Sequence, residues 1–153
     1  MQPIRLNVNA AIVRDGKILL IEFGGDPHYN LPGGGLEPGE SIEEGLKREC
    51  REEACAQVEV ERLLMVWEYV PEKENFRYGE RHKVGMIFLC RLCPGSEPRL
   101  PGKPDENQVG VRWLPLTDLA KTSGPDRHPL YPTVEEPLLK ALRENLTIGK
   151  VWS

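Results

Sequence analysis

The stretch 34–56 constrains this chain more than any other. Residues 24–39 are crowded with glycine and proline, and Ser41 and Glu44 follow at capping-box spacing, so a structured loop is predicted to enter a helix that runs to about Ala54. On a wheel of about 100° per residue, Ile42 and Leu46 begin a stripe that continues through Glu49, Glu53 and Ala56, with Gly45 and Glu52 beside it. Apolar side chains therefore give way to carboxylates along the face predicted to point inward. The opposite face carries Glu43, Glu44, Lys47, Arg48 and Arg51, with Glu43 and Lys47, and Glu44 and Arg48, in the favourable i,i+4 order of a solvated surface.

Glu49 and Glu53 are like charges one turn apart, a pairing that costs a few tenths of a kcal/mol on an exposed helix and more where water is scarce. One guanidinium, Arg48, is too little for Glu49, Glu52 and Glu53 together. A hard divalent cation prefers oxygen ligands of this kind, and Mg²⁺ is the natural candidate, because it keeps several waters and shares its remaining positions with phosphate oxygens. Mn²⁺ is the expected substitute.

The surrounding pattern supplies a sheet. Leu6, Val8, Ala10 and Ile12 alternate as in a strand, Asp15-Gly16 marks a turn, and 18–23 is a second apolar run, which together predict a β-hairpin. Strand-like runs return at 58–70, 84–92 and 109–114, with an irregular 94–108 between the last two. Leu138, Leu139, Leu142 and Leu146 have helical spacing, with Pro137 in the first turn and Gly149 beyond the stop. Strands, helix, strands, helix in that order predict an α/β (α+β) chain with a mixed sheet against which helices pack, folded as a single domain over residues 1–153.

Composition narrows the function. No apolar run approaches the ~20 residues of a membrane span, and no basic-then-apolar leader opens the chain, so a cytoplasmic protein is expected. The formal charge of −4 argues against a duplex nucleic-acid partner, which needs clustered Lys and Arg. Cys90 and Cys93 form one close pair where a structural zinc site usually needs two, so the cysteines read as reduced thiols.

Gly34, Glu40, Arg48, Glu49, Glu52 and Glu53 stand at the spacing of the Nudix box, G-x5-E-x7-R-E-U-x-E-E-x-G-U with U aliphatic, and Leu31-Pro32-Gly33 resembles its lead-in. By this resemblance the chain looks like a Nudix hydrolase, whose fold is an αβα sandwich. Three residues depart from the pattern: Cys55 takes the place of the second box glycine, Cys50 an aliphatic position, and Tyr29 a position where many members have tryptophan. Cys55 implies either a different turn at the helix exit or modest strain there.

The resemblance implies a divalent metal held by Glu49, Glu52 and Glu53, with Arg48 orienting a neighbouring carboxylate, and hydrolysis of a nucleoside diphosphate linked to another group. Glu53, Glu49, Arg48 and Glu40 are the implied catalytic set. Glu40 is open to two readings: a residue behind the ligands that helps to hold a water, or an acid placed favourably ahead of a helix N-terminus. Glycines at Gly34 and Gly35 allow close backbone approach to helix and substrate. The general base is Glu49, Glu53 or a later loop acid, for which Glu106 is the candidate beside its reading as a solvated loop residue.

For substrate contacts the segment 68–82 offers Tyr69, Phe76, Arg77, Tyr78, Arg81 and His82, suited to stacking a base and meeting phosphates. A mobile loop or a homodimer contact is the other reading. Pro71 falls near where members acting on ADP-ribose often place a proline, which favours ADP-ribose or a nucleotide sugar as the small nucleotide-like substrate. The alternatives are cleavage of a nucleoside triphosphate to monophosphate and diphosphate, and a catalytically silent nucleotide-binding module.

Overall fold

The computed structural model describes residues 2–119, 130–131 and 134–146. Strand β1 (Arg5–Arg14) turns through Asp15 and Gly16, both at positive φ (52° and 74°), into β2 (Lys17–Phe23), with Val13 opposite Ile18 as the hairpin reading requires. The expected loop then holds two short strands, β3 (His28–Asn30) and β4 (Gly33–Gly35), before α1 (Ile42–Ala54). Three-residue strands are too short to leave a periodic trace, and both exist because β2 and β1 pair with them. Strand β5 (Val58–Tyr69), a 3₁₀ turn (Pro71–Lys73), β6 (Lys83–Leu92), β7 (Gln108–Pro115), a short α2 (Leu116–Leu119), β8 (Leu130–Tyr131) and α3 (Glu135–Leu146) complete the order. The last helix starts just ahead of Pro137, which sits in its first turn, and its expected stop at Gly149 lies outside the described residues.

The sheet is mixed, as the element order predicts. β6 runs parallel to β1 from Arg5↔Lys83 to Ile12↔Cys90 and antiparallel to β5, while β7 pairs antiparallel with β2. Alternation along β1 separates two cores. Val8, Ala10 and Ile12, with Leu19 and Ile21 of β2, pack under Leu46, Cys50 and Ala54 of α1. Ala11, Ile18 and Leu20 face the other way, against Leu116 and Leu119 of α2 and Leu138, Leu139 and Leu142 of α3. The result is the αβα sandwich. No helix among the described residues is long and apolar enough to cross a membrane.

Ser41 caps α1, its Oγ accepting the Glu44 N–H at 3.1 Å. The wheel needs one correction. Ile42 is 37% exposed, and the buried arc is Gly45, Leu46, Cys50, Glu53 and Ala54. That arc centres on the Leu46 and Cys50 side, so Cys50 packs as a small hydrophobe and Glu52 falls off the opposite edge. At the exit, Cys55 takes the left-handed conformation (φ 51°, ψ 29°), while the Cys55 and Ala56 N–H groups donate to Arg51 and Cys50 carbonyls at 3.1 Å. The glycine-type turn is kept, so modest strain, not a different turn, is the outcome.

Candidate active site

The site is built around the glycine strand β4, whose Gly33, Gly34 and Gly35 pair with Asn9, Val8 and Asn7 of β1. At Gly33 a side chain is excluded, because a Cβ would collide with the Val8 carbonyl; a Cβ on Gly34 would stand 2.7 Å from Glu49 Oε1 and one on Gly35 2.6 Å from the Arg5 guanidinium, so either would displace that side chain. The Gly33 N–H donates to Glu53 Oε1 at 2.8 Å. The strand thus lies directly against the part of α1 that carries Glu49 and Glu53.

Glu53 is only 6% exposed. Burial pushes its carboxyl up to about 8; the Gly33 N–H opposes this, and the charges of Glu49, Asp105 and Glu52 add to it. Glu49 is raised as well, by burial first, with Arg48 pulling the other way. The expected sharing of one sheltered face by three glutamates is corrected at Glu52, whose side chain is 59% exposed. Among the described residues, no three Asp, Glu, His or Cys side chains converge as a ready-made metal cluster.

Arg48 is also displaced from its expected place. Its side chain is 19% exposed and turns away from the solvated face. Nε and Nη2 donate to the two oxygens of Glu40 at 3.0 and 2.7 Å, Nη1 donates to Glu49 at 2.9 Å and Glu52 at 3.2 Å, and Nη2 also reaches the Gly35 carbonyl at 3.2 Å. A bidentate carboxylate outcompetes the single i,i+4 partner expected in Glu44. Glu40 is held down to about 2 by Arg48 first and the Glu37 N–H second. The Glu43 and Lys47 pair forms as expected, at 2.9 Å.

The loop acid whose charge acts on both Glu49 and Glu53 is Asp105; it and its neighbour Glu106 are both exposed. Gln108 ties the backbone of this loop to the end of α1. Its Nε2 donates to the Glu53 carbonyl at 2.7 Å, its Oε1 accepts the Asp105 N–H at 3.3 Å, and its own N–H donates to the Asp105 carbonyl at 3.0 Å. Asn107, at φ 65°, makes the turn between them.

A pocket of about 370 Å³ opens on the other side of the glycine strand, with Gly33 and Gly34 in its lining. Strand register supplies its floor. Tyr69, Lys83 and Arg5 form one row across β5, β6 and β1; Trp67, Gly85 and Asn7 form the next; Asn9 follows opposite Ile87. The Trp67 indole lies over Gly85, where a Cβ would collide with the ring, and its Nε1–H donates to Asn9 Oδ1 at 3.3 Å. Asp26, His28, Asn30 and Leu31 form one wall, Arg77 and Tyr78 another. The Tyr69 hydroxyl donates to the Gly79 carbonyl at 2.7 Å and accepts the Tyr78 N–H at 3.0 Å, which ties that wall to the sheet. Arg5, Lys83 and Arg77 face a single acid, Asp26, and Lys83 is lowered by burial first and then by Arg5 and Arg81.

Of the residues expected at substrate, Gly34, Tyr69 and Arg77 line this pocket, and Gly35, Arg81 and Glu106 do not. Gly35 lies against Arg5, and Arg81 Nε donates to the Pro3 carbonyl at 3.2 Å. Arg5, Asn7, Asn9, Trp67 and Lys83 carry no local signal of a site, since only the register of three strands brings them together.

A family model described as NUDIX domain matches residues 3–134. Nucleoside triphosphatase NudI of Escherichia coli O1:K1 is 31% identical over 115 residues, covering 71% of this chain and 79% of that protein. A solved MutT NUDIX hydrolase from Burkholderia pseudomallei is 29% identical at a TM-score of 0.68, with 90% of this chain and 97% of that one covered. An ADP-ribose pyrophosphatase from Streptococcus suis is 26% identical at a TM-score of 0.65, covering 99% and 97%.

Proposed function

The chain belongs to the NUDIX domain family and is a hydrolase acting on phosphoric anhydrides, and on that premise we propose that it cleaves a diphosphate bond in a nucleotide whose base enters the pocket beside Trp67, Tyr69 and Tyr78. One observation carries the reading. Gly33 lines the pocket and donates its N–H to Glu53, so a ligand seated there has its polar end within reach of the carboxylates.

The donor set fits a divalent cation by its chemistry. Glu49, Glu52 and Glu53 offer only carboxylate oxygens, Asp105 adds charge, and Arg48 divides itself among Glu40, Glu49 and Glu52. Glu49, Glu52 and Glu53 would hold the ion, Mg²⁺ by hardness with Mn²⁺ as substitute. When bound, such an ion supplies charge neutralisation for phosphate oxygens and a lowered pKa for water beside it. Glu53 or Glu49 accepts the proton of the attacking water as its oxygen bonds to phosphorus and the anhydride P–O bond breaks. Glu40 fixes Arg48, which in turn orients Glu49 and Glu52. Arg5, Lys83 and Arg77 hold phosphate oxygens by charge-assisted hydrogen bonds.

The pocket has room for one nucleoside, at the lower end of the roughly 300–1,000 Å³ of small-molecule sites. A second sugar would lie outside it. The proline cue for ADP-ribose has a structural account: Pro71 is buried, opens the 3₁₀ turn, and its carbonyl accepts the Glu74 and Phe76 N–H groups. Nucleoside triphosphates, on which a relative is named as acting, are therefore the first substrates to test; ADP-ribose and nucleotide sugars come second.

The test is a screen of these compounds and dinucleoside polyphosphates with Mg²⁺ and with Mn²⁺. Release of nucleoside monophosphate is expected, accompanied by diphosphate when the substrate is a triphosphate. Binding without turnover in either ion would leave a nucleotide-binding module in place of this function.

A further inference from the structure

We propose that the Tyr69 hydroxyl is a positioning group for the substrate, holding Arg77 and Tyr78 in place as one wall of the pocket; this rests on the pocket being the nucleotide site. Trp67 and Tyr69 stand two residues apart at the end of β5, both buried and both lining the pocket, yet their polar atoms go to different places. The Trp67 indole N–H stays within the sheet and donates to Asn9 Oδ1 at 3.3 Å. The Tyr69 hydroxyl leaves the sheet: it donates to the Gly79 carbonyl at 2.7 Å and accepts the Tyr78 N–H at 3.0 Å. The rings follow the same line. Tyr78 meets the Tyr69 ring edge-on with centroids 5.5 Å apart, and the Arg77 guanidinium carbon lies 5.4 Å from the centroid of the Tyr78 ring.

The segment needs such a tie because its backbone is not in a locally favoured conformation. Asn75 and Phe76 both have left-handed φ, 52° and 56°, and Gly79 has φ 99°. Asparagine and glycine tolerate that region, whereas a bulky residue such as Phe76 is disfavoured there, and its side chain is 52% exposed, so burial does not compensate. The hydrogen bonds within the segment are local: the Pro71 carbonyl accepts the Phe76 N–H, the Glu74 carbonyl the Arg77 N–H, and the Phe76 carbonyl the Gly79 N–H. They shape the turn but do not fasten it to the sheet. The Tyr69 hydroxyl fastens it, from a residue only 3% exposed. Without that hydroxyl the wall samples other positions, and a nucleotide has to order it on binding, which weakens affinity without touching the carboxylates of α1.

The experiment measures kcat and KM for ATP with Mg²⁺, and Kd for AMP by calorimetry without divalent ions, in the wild type, Tyr69→Phe, Gly79→Ala, the double variant and Lys83→Ala. A Cβ on Gly79 meets nothing within 4 Å, so Gly79→Ala disturbs the same contact through backbone conformation alone and serves where Tyr69→Phe fails to fold. KM and Kd are expected to rise about tenfold in each of these two variants, with kcat changed by less than about twofold. The double variant should be no weaker than the weaker single one, because both remove one contact. Loss of kcat at unchanged KM, the pattern of a protein that is merely less folded, would overturn the proposal, and so would additive effects of the two substitutions. A rise in KM for Lys83→Ala but not for Tyr69→Phe would exclude the hydroxyl and leave the pocket as the nucleotide site. If no variant moves KM or Kd, the pocket reading and the proposal fall together. Weaker AMP binding in both variants, with no hydrolysis by any of the proteins, would uphold the positioning role and remove the enzymatic reading.

Discussion

Two charged regions meet at β4, and they are opposites. On the helix side, Glu40, Glu49 and Glu52 share one arginine, and Glu53 is offset by the Gly33 backbone N–H. On the pocket side, Arg5, Lys83 and Arg77 line the cavity with one acid, Asp26, among the described residues. The two excesses do not pair with each other: the Arg48 cluster and the pocket cations have no ion pair between them among the described residues. A nucleotide together with a divalent cation answers both: phosphates bring negative charge to the basic side, and the cation brings positive charge to the acidic one. The difference also assigns tasks. Proton transfer belongs to the helix side, binding to the sheet side.

The sharpest way to break that division is to neutralise one member of each region. Glu53→Gln is expected to lower kcat by about 10³-fold while the circular dichroism stays native, since it removes a proton acceptor without changing shape. Lys83→Ala should lower kcat/KM by about 10- to 100-fold, chiefly through KM, because a charge-assisted contact to phosphate is lost from the bound state. Steady-state kinetics on the best substrate separate the two, and a kcat effect at Lys83 equal to that at Glu53 would erase the distinction.

Stability against pH tests the burial of the acidic side. Glu53 is raised from 4.5 to about 8 in the folded protein, so between these values the folded state holds a proton that the unfolded chain has released. Stability from this group is therefore greatest below the unfolded value and falls as pH rises through the window. The drop is on the order of a few kcal/mol in metal-free protein. Urea unfolding at pH 5, 6.5 and 8 should show the decline, and Glu53→Gln should flatten it. A smaller effect is expected at the helix exit. Cys55→Gly relieves a left-handed residue and should stabilise by up to about 1 kcal/mol, read as a rise in Tm.

The two regions also differ in how much of them a sequence can carry. The acidic helix is local: its cap, i,i+4 spacing and box residues lie within a few turns, and the helix forms where they indicate. Two details differ. Glu52 flanks the predicted stripe but is exposed because the buried arc centres on Leu46 and Cys50, and Arg48 turns from Glu44 to Glu40, a bidentate partner that lies before the helix. The pocket is non-local. Arg5, Asn7 and Asn9 meet Trp67 and Lys83 only through the register of β1 on β6 and β6 on β5, which no short-range pattern encodes. Tyr69 and Arg77 were legible as aromatic and basic residues around the 68–82 segment, whereas that Asp105, not Glu106, acts on Glu49 and Glu53 follows only from the path of the loop.

The central claim, that the buried carboxylates of α1 accept a divalent cation, is tested most directly by calorimetric titration of Mn²⁺ at pH 7 in buffers of different ionisation enthalpy. The wild-type protein is expected to bind Mn²⁺ and release close to one proton as Glu53 ionises, and Glu53→Gln should bind more weakly with little release. Equal affinity and equal proton release in the two proteins, or no binding by the wild type, would contradict the account.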